Sequence, residues 1–78
     1  MEKDLLYKII SKVFNVSETE ITDSSSPETI FSWDSMGHLM LISALEEALD
    51  IKIGMNKILE IKNVEDIKRV LRRKGIEI

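Results

Sequence analysis

Hydrophobic residues near the start of the chain recur with the spacing of an amphipathic helix. The repeating apolar positions are Leu5, Leu6, Ile9, Ile10, Val13 and Phe14. Asp4, Lys8 and Lys12 follow at four-residue steps on the opposite side, as expected when one face of a helix meets solvent. The pattern predicts a first helix over about residues 3–14.

The helical pattern stops over residues 15–33, where we predict a long loop. Ser17 and Glu20 have the spacing of a capping box, which predicts one short helical turn. The segment from Asp23 to Pro27 then breaks regular structure. A loop of this length needs anchoring in a compact domain, and we expect Trp33 to pack its end against the helices. The other predicted anchors are Val16, Ile21, Ile30 and Phe31.

A second helix is predicted from about Ser35 to Leu49. Asp34 is its expected N-cap, because a carboxylate there can accept hydrogen bonds from the unpaired amides of the first turn. At about 100° per residue this helix has one broad apolar face, which we expect to lie in the core. That face comprises Leu41, Ile42, Ala44, Leu45, Ala48 and Leu49, and the solvent side comprises Met36, Met40, Ser43, Glu46, Glu47 and Asp50.

Two shorter patterns complete the chain. A brief helix is predicted from Met55 to Glu60, and Asn63 is the expected N-cap of a last helix. Gly75 follows that helix as a stop signal. The apolar stripe of the last helix is Val64, Ile67, Val70 and Leu71. Together the elements predict an all-α fold of three main helices plus one short helix, in a single domain over residues 1–78.

Composition narrows the possible functions. The chain has 78 residues, 44% of them hydrophobic, which suffices for one small core and makes a deep preformed active site unexpected. A formal charge of −3 argues against nucleic-acid binding. With no cysteine, no metal-site spacing and no apolar run long enough to span a membrane, we expect a soluble, cytoplasmic protein. The basic residues predicted to form a solvated helix end are Lys68, Arg69, Arg72, Arg73 and Lys74.

Ser35 is the candidate for chemistry. A serine at a helix start has a plain structural explanation, as a cap. A phosphodiester on Ser35 would, however, lie near the first-turn amides of Met36, Gly37 and His38, where the helix dipole favours negative charge. We expect Gly37 to leave room there for a modifying enzyme or for an attached arm. No side chain is evidently placed to deprotonate the hydroxyl, so its activating base would belong to another protein.

The run from Trp33 to Leu39 resembles the attachment motif of acyl carrier proteins, and the similarity extends over nearly the whole chain. The resemblance implies the family's helical bundle. It also implies that Ser35 carries 4'-phosphopantetheine, derived from coenzyme A and attached by a separate magnesium-dependent phosphopantetheinyl transferase. The chain would then be no enzyme. It would be a monomer that presents acyl thioesters to loading, condensing and acyl-transfer enzymes of fatty acid, polyketide or related biosynthesis, with neither nucleic acid nor membrane as a partner.

Two positions depart from carriers of fatty acid synthesis, which usually have acidic residues along the second helix. Gly37 and Met40 stand at such positions here, and we expect Met36 and Met40 to form an adaptable apolar docking patch. By resemblance, a growing chain would be sequestered on the face beneath Phe31 formed by Leu41, Leu45 and Ile58. Plain core packing is the preferred interpretation of those residues.

Two alternatives remain open. The run from Asp34 to Gly37 is also similar to aminoacyl or peptidyl carriers. In a different class, a helical interaction or phosphorelay module would use His38, with Ser35 only capping its helix. His38 falls at the rim of the apolar face, where we expect it to be hydrogen-bonded to the loop.

Overall fold

Helices account for most of the regular structure. The computed structural model describes residues 3–78, and over that range it contains α1 (Lys3–Phe14), α2 (Ser35–Leu49), α3 (Met55–Glu60) and α4 (Val64–Arg73) but no strand. A 3₁₀ turn, Glu18–Glu20, lies in the loop between α1 and α2. The predicted all-α fold and its helices are confirmed. None of the helices within residues 3–78 is long and apolar enough to cross a membrane.

The core is formed by α1, α2, α4 and the end of the long loop. Its largest fully buried side chains are Trp33, Leu6, Ile10, Leu41, Leu45, Ile67, Leu71 and Val64. The predicted stripe of α4 is buried throughout. The predicted core face of α2 is too broad, because the buried stripe is centred on Leu41 and Leu45: Ala44 is only half-buried and Ala48 is exposed.

The long loop is anchored by some of the predicted residues. Ile21 and Ile30 are buried and Val16 is half-buried, as expected. Phe31 was predicted to be an anchor, and that prediction is wrong, since the side chain is fully exposed at 101%. The turn that directs Ile30 into the core directs its neighbour outward, and Trp33, 1% exposed, supplies the bulky anchor instead.

The start of α4 is covered by the same loop. The carbonyl oxygens of Ser25 and Asp23 accept hydrogen bonds from the amides of Val64 and Glu65, each at 3.0 Å. Asn63 acts as the predicted N-cap, with its Oδ1 accepting from the next amide at 2.8 Å. The first three amides of α4 are therefore all paired within the protein.

The buried side chain of Lys68 links the long loop to α4. The prediction that Lys68 lies in a solvated helix end is wrong, because its side chain is buried. Its ammonium donates to the Asp23 carboxylate and, at 3.2 Å, to the Tyr7 hydroxyl. Burial alone would lower the pKa of Lys68, but these hydrogen bonds outweigh it and the pKa is raised above the ordinary lysine value of 10.5. The sequence interpretation failed because Asp23 lies 45 residues away along the chain.

A side chain of α2 holds the connection from α2 to α3. Glu46, predicted on the solvent side, is half-buried because its Oε2 accepts from the amide of Ile53 at 2.8 Å. Asp50 ends α2 in the left-handed conformation with φ of 53°. Past α4, Gly75 has a φ of 85°, which fits its predicted role as a stop.

Candidate functional site

Ser35 is the first residue of α2, and its side chain is exposed. The predicted N-cap is confirmed: Asp34 Oδ1 accepts from the amide of Gly37 at 2.7 Å, and the Asp34 carbonyl accepts from the amide of His38 at 2.8 Å. Because Asp34 makes the capping bond, the Ser35 hydroxyl is not needed to start the helix. The cap interpretation of this serine is thus replaced by one in which the hydroxyl is simply displayed.

The amides at the start of α2 differ from the expectation that three of them would point toward a group on Ser35. Those of Gly37 and His38 are used within the turn. The amides of Ser35 and Met36, in contrast, meet no acceptor among residues 3–78. Two unpaired N–H groups at the positive end of a helix form a favourable environment for an anion attached there.

Gly37 is buried, and its role differs from the predicted one. A Cβ at this position would lie 2.2 Å from the Ser32 carbonyl oxygen and 3.1 Å from a ring carbon of Phe14. The glycine therefore does not leave space for a modifying enzyme. The missing side chain lets the first turn of α2 pack closely against the loop end, and this packing fixes the position of Ser35.

The loop end beside Ser35 is held against α1. The Ser32 hydroxyl donates to the Phe14 carbonyl oxygen at 2.8 Å. The Trp33 ring stacks on the Phe14 ring with centroids 5.2 Å apart, which confirms the predicted packing of the loop end. Ser35 is thus presented from a fixed turn rather than from a free loop.

His38 is hydrogen-bonded through both ring nitrogens. Its Nδ1 accepts from Trp33 Nε1 at 2.9 Å, and its Nε2 lies 2.9 Å from the carbonyl oxygen of Ile58. The expected hydrogen bond to the loop is confirmed. With both nitrogens occupied, neither is available as a phosphoacceptor, so the geometry does not support the phosphorelay alternative.

A groove of about 760 Å³ opens beside Ser35, between the loop end and α3. The apolar side chains that line it from α2 and α3 are Leu39, Met55, Ile58 and Leu59. Of the residues predicted to sequester a chain, Leu41 and Leu45 are fully buried and belong to the core, as the preferred interpretation held, and only Ile58 lines the groove. The helical spacing of Met55, Ile58 and Leu59 was the signal that the sequence interpretation missed.

Large apolar side chains are exposed both in this groove, where Leu39, Met55 and Leu59 line it, and outside it, at Phe31, Met36 and Met40. Six large ones, which we call the apolar rim, are each more than half exposed: Phe31, Met36, Leu39, Met40, Met55 and Leu59. The predicted exposure of Met36 and Met40 is confirmed, and the other four members come from the loop, α2 and α3. Over residues 35–45, which form the start of α2, the sequence carries no acidic or basic side chain other than His38.

Comparisons with known proteins place this geometry in a family. The family model for the phosphopantetheine attachment site matches residues 4–71. The solution NMR structure of the holo acyl carrier protein from Geobacter metallireducens matches with a TM-score of 0.82 and 32% sequence identity, covering 92% of this chain and 83% of that one.

The chain belongs to the acyl carrier protein family. A search of curated proteins found no significant match. Acyl carrier proteins are carriers and not enzymes, so membership of the family confirms the expectation that this protein is not an enzyme. Their cofactor is covalently attached 4'-phosphopantetheine. The start of α2 fits such a group, because an exposed hydroxyl, two amides that meet no acceptor within residues 3–78 and an open groove lie together there.

Proposed function

We propose that this acyl carrier protein uses the Ser35 hydroxyl as the attachment point of 4'-phosphopantetheine. The observation that carries the proposal is an exposed serine at the start of α2, beside an apolar groove, in a chain of this family. Ser35 lies within the matched residues 4–71. The helix dipole and the unpaired amides would both stabilise the negative charge of a phosphodiester.

The chain's own residues orient the Ser35 hydroxyl and do not activate it. Both nitrogens of His38 are engaged, and the Asp34 carboxylate accepts from the amide of Gly37. The base that removes the hydroxyl proton would therefore come from a phosphopantetheinyl transferase. When attached, the group supplies a terminal thiol that carries acyl chains as thioesters.

Intact mass tests the attachment. The parent, Ser35→Ala and Ser43→Ala would each be incubated with coenzyme A, magnesium and a broad-specificity phosphopantetheinyl transferase. Ser43 is an exposed serine on the same helix and so provides a matched control. We expect one phosphopantetheinyl unit on the parent and on Ser43→Ala, and none on Ser35→Ala. A gain of mass on Ser35→Ala, or no gain on the parent while a control carrier is modified, would refute the proposal.

We propose acyl chains, of fatty acid, polyketide or related biosynthesis, as the cargo in preference to aminoacyl groups. The apolar lining of the groove by Leu39, Ile58 and Leu59 supports this choice, since an acyl chain would bury apolar surface against these side chains, whereas a small aminoacyl group offers little such surface. Loading with octanoyl and with alanyl groups would compare the two. We expect octanoyl loading to slow amide exchange along the groove and alanyl loading to leave it unchanged. The reverse order would favour an aminoacyl carrier.

We further propose that partner enzymes dock on the apolar rim mainly through apolar contacts. Exposed apolar patches on a small protein mark interaction surfaces, and methionine side chains such as Met36 and Met40 repack easily against different partners. Within α2 the first exposed acidic residue is Glu47, and the carboxylate of Asp34, just before the helix, already accepts from the amide of Gly37. Electrostatic steering would therefore be weak.

The transferase is a convenient partner for testing the rim. Met40→Glu should raise its KM for the carrier about tenfold, the effect of losing roughly 1.4 kcal/mol of binding. Leu5→Glu is the matched control, because Leu5 is an exposed apolar residue of α1 outside the rim. We expect the parent's KM to change less than about twofold between low and high salt. A strong salt dependence, or equal effects of the two substitutions, would contradict apolar docking.

A further inference from the structure

Three side-chain and backbone groups form a hydrogen-bonded chain across the groove. Trp33 lies at the loop end, His38 on α2 and Ile58 on α3, and all three line the groove beside Ser35. The two bonds, each 2.9 Å long, join them in that order. These two hydrogen bonds therefore connect both walls of the groove through His38, which lies about one helical turn from Ser35.

The direction of each bond follows from the chemistry of the groups. An indole N–H can only donate, so Nδ1 of His38 is the acceptor and carries no proton. The ring proton is then on Nε2, which donates to the Ile58 carbonyl oxygen. His38 is a neutral ring in one defined tautomer, and both of its bonds require that tautomer.

Besides the hydrogen bond from His38, the middle of α3 is attached to the core within residues 3–78 only by partial packing of the Ile58 side chain. Helix α3 is six residues long with no buried residue, and its N-cap, Gly54, makes no side-chain capping bond. Ile53 and Ile61, which flank it, are each 5% exposed and hold its two ends. The Ile58 carbonyl lies in the last turn, where carbonyl groups lack regular helical partners, and the nearest backbone donor is the Ile61 amide at 3.4 Å.

We infer that His38 is a positioning residue that holds the middle of α3 at a set distance from Ser35 and so determines the width of the groove. This inference rests on the proposed function, because the groove is taken to hold cargo attached to Ser35. Loss of the bond to Ile58 would leave the wall that carries Met55 and Leu59 held by side-chain packing alone and so would loosen it. A chain linked to Ser35 would then be held less closely and be more open to solvent.

Amide hydrogen exchange of the unmodified protein tests the attachment of α3. The parent would be compared with His38→Ala, with His38→Gln, which keeps a donor and an acceptor, and with Ser43→Ala as the control on the exposed side of α2. We expect exchange in α3 to be about three- to tenfold faster in His38→Ala, the effect of one neutral hydrogen bond, and partly restored in His38→Gln. Unchanged α3 exchange in His38→Ala, or an equal increase in α1 and α4, would overturn the inference.

Two further readouts separate positioning from general stability. The ¹⁵N shifts of the His38 ring should report a protonated Nε2 in the parent, and a mixed tautomer in Trp33→Phe, which lacks the indole donor. A protonated Nδ1 in the parent would overturn the inference. In octanoyl-loaded carrier, hydroxylamine should cleave the thioester several-fold faster in His38→Ala than in Ser43→Ala, and equal rates would count against the groove-width role. Exchange in the unmodified protein needs no loading, so failure to load Ser35 would refute the proposed function without touching the α3 result.

Discussion

Helices α2 and α4 start with the same kind of cap but differ in what covers their first turn. Asp34 accepts from the amide of Gly37 at 2.7 Å, and Asn63 accepts from the amide of Asp66 at 2.8 Å. At α4 the loop carbonyls also pair the two preceding amides. At α2 the corresponding amides, those of its first two residues, have no acceptor within residues 3–78.

The start of α4 is covered by the loop, which pairs its first amides, whereas the first two amides of α2 have no acceptor within residues 3–78. The covered end is secured by Lys68, whose buried ammonium donates to the exposed carboxylate of Asp23 and to the half-buried hydroxyl of Tyr7. The open end faces the groove, which is lined by three members of the apolar rim, and all six members are more than half exposed. Their exposure around Ser35 therefore points to use of that surface in binding.

The largest expected effect comes from crowding the open end. Gly37→Ala would place a Cβ 2.2 Å from a backbone oxygen, which cannot move without displacing the loop end. We expect the free energy of unfolding to fall by about 3 kcal/mol, at the upper end for overpacking, as measured by urea denaturation. Gly54→Ala is the matched control, since a Cβ there meets nothing within 4 Å, and it should be nearly neutral. Similar losses in the two variants would show that the close approach at Gly37 is not needed.

The next largest loss of stability is expected from removing the Lys68 ammonium, which holds the loop over the start of α4. Lys68→Met removes the buried ammonium and should lower the free energy of unfolding by about 1–2 kcal/mol. This is less than for a fully buried pair, because the Asp23 side chain is 55% exposed and can be rehydrated. Arg69→Met, which breaks an ion pair at an exposed arginine, should cost less than about 1 kcal/mol.

The pH dependence gives a second test of Lys68. Its pKa is raised in the folded protein, so its contribution to stability is fully present below about pH 10.5 and is lost as pH rises through the higher folded value. Urea denaturation at pH 9 and above pH 11 should show a steeper alkaline loss for the parent than for Lys68→Met. Parallel losses in the two proteins would exclude this origin.

The smallest effect compares the two caps directly. Asp34→Ala and Asn63→Ala should each lower the free energy of unfolding by about 1 kcal/mol, because each leaves one first-turn amide without its acceptor. Only Asp34→Ala should slow the loading of Ser35 by a phosphopantetheinyl transferase, because only that cap shapes the turn that presents the hydroxyl. Equal loading rates in the two variants would mean that the cap at Asp34 supports the fold alone.

Much of this protein was predictable from local sequence. Apolar periodicity and capping residues are properties of neighbouring positions, and they predicted the bounds of α1, α2 and α3 as the structure has them. The resemblance of the run from Trp33 to Leu39 to a known attachment motif indicated the carrier family that the comparisons confirm. Exposure of Met36 followed from helical spacing alone.

The tertiary structure decided what each of these elements meets. The exposure of Phe31, the burial of Lys68 and the tight approach at Gly37 all depend on how the long loop crosses the helices. The bridge from His38 to Ile58 spans 20 residues of sequence. Local patterns determine which backbone conformation a segment prefers, whereas contacts between distant segments depend on how the whole core packs, and no window of neighbouring residues contains that information.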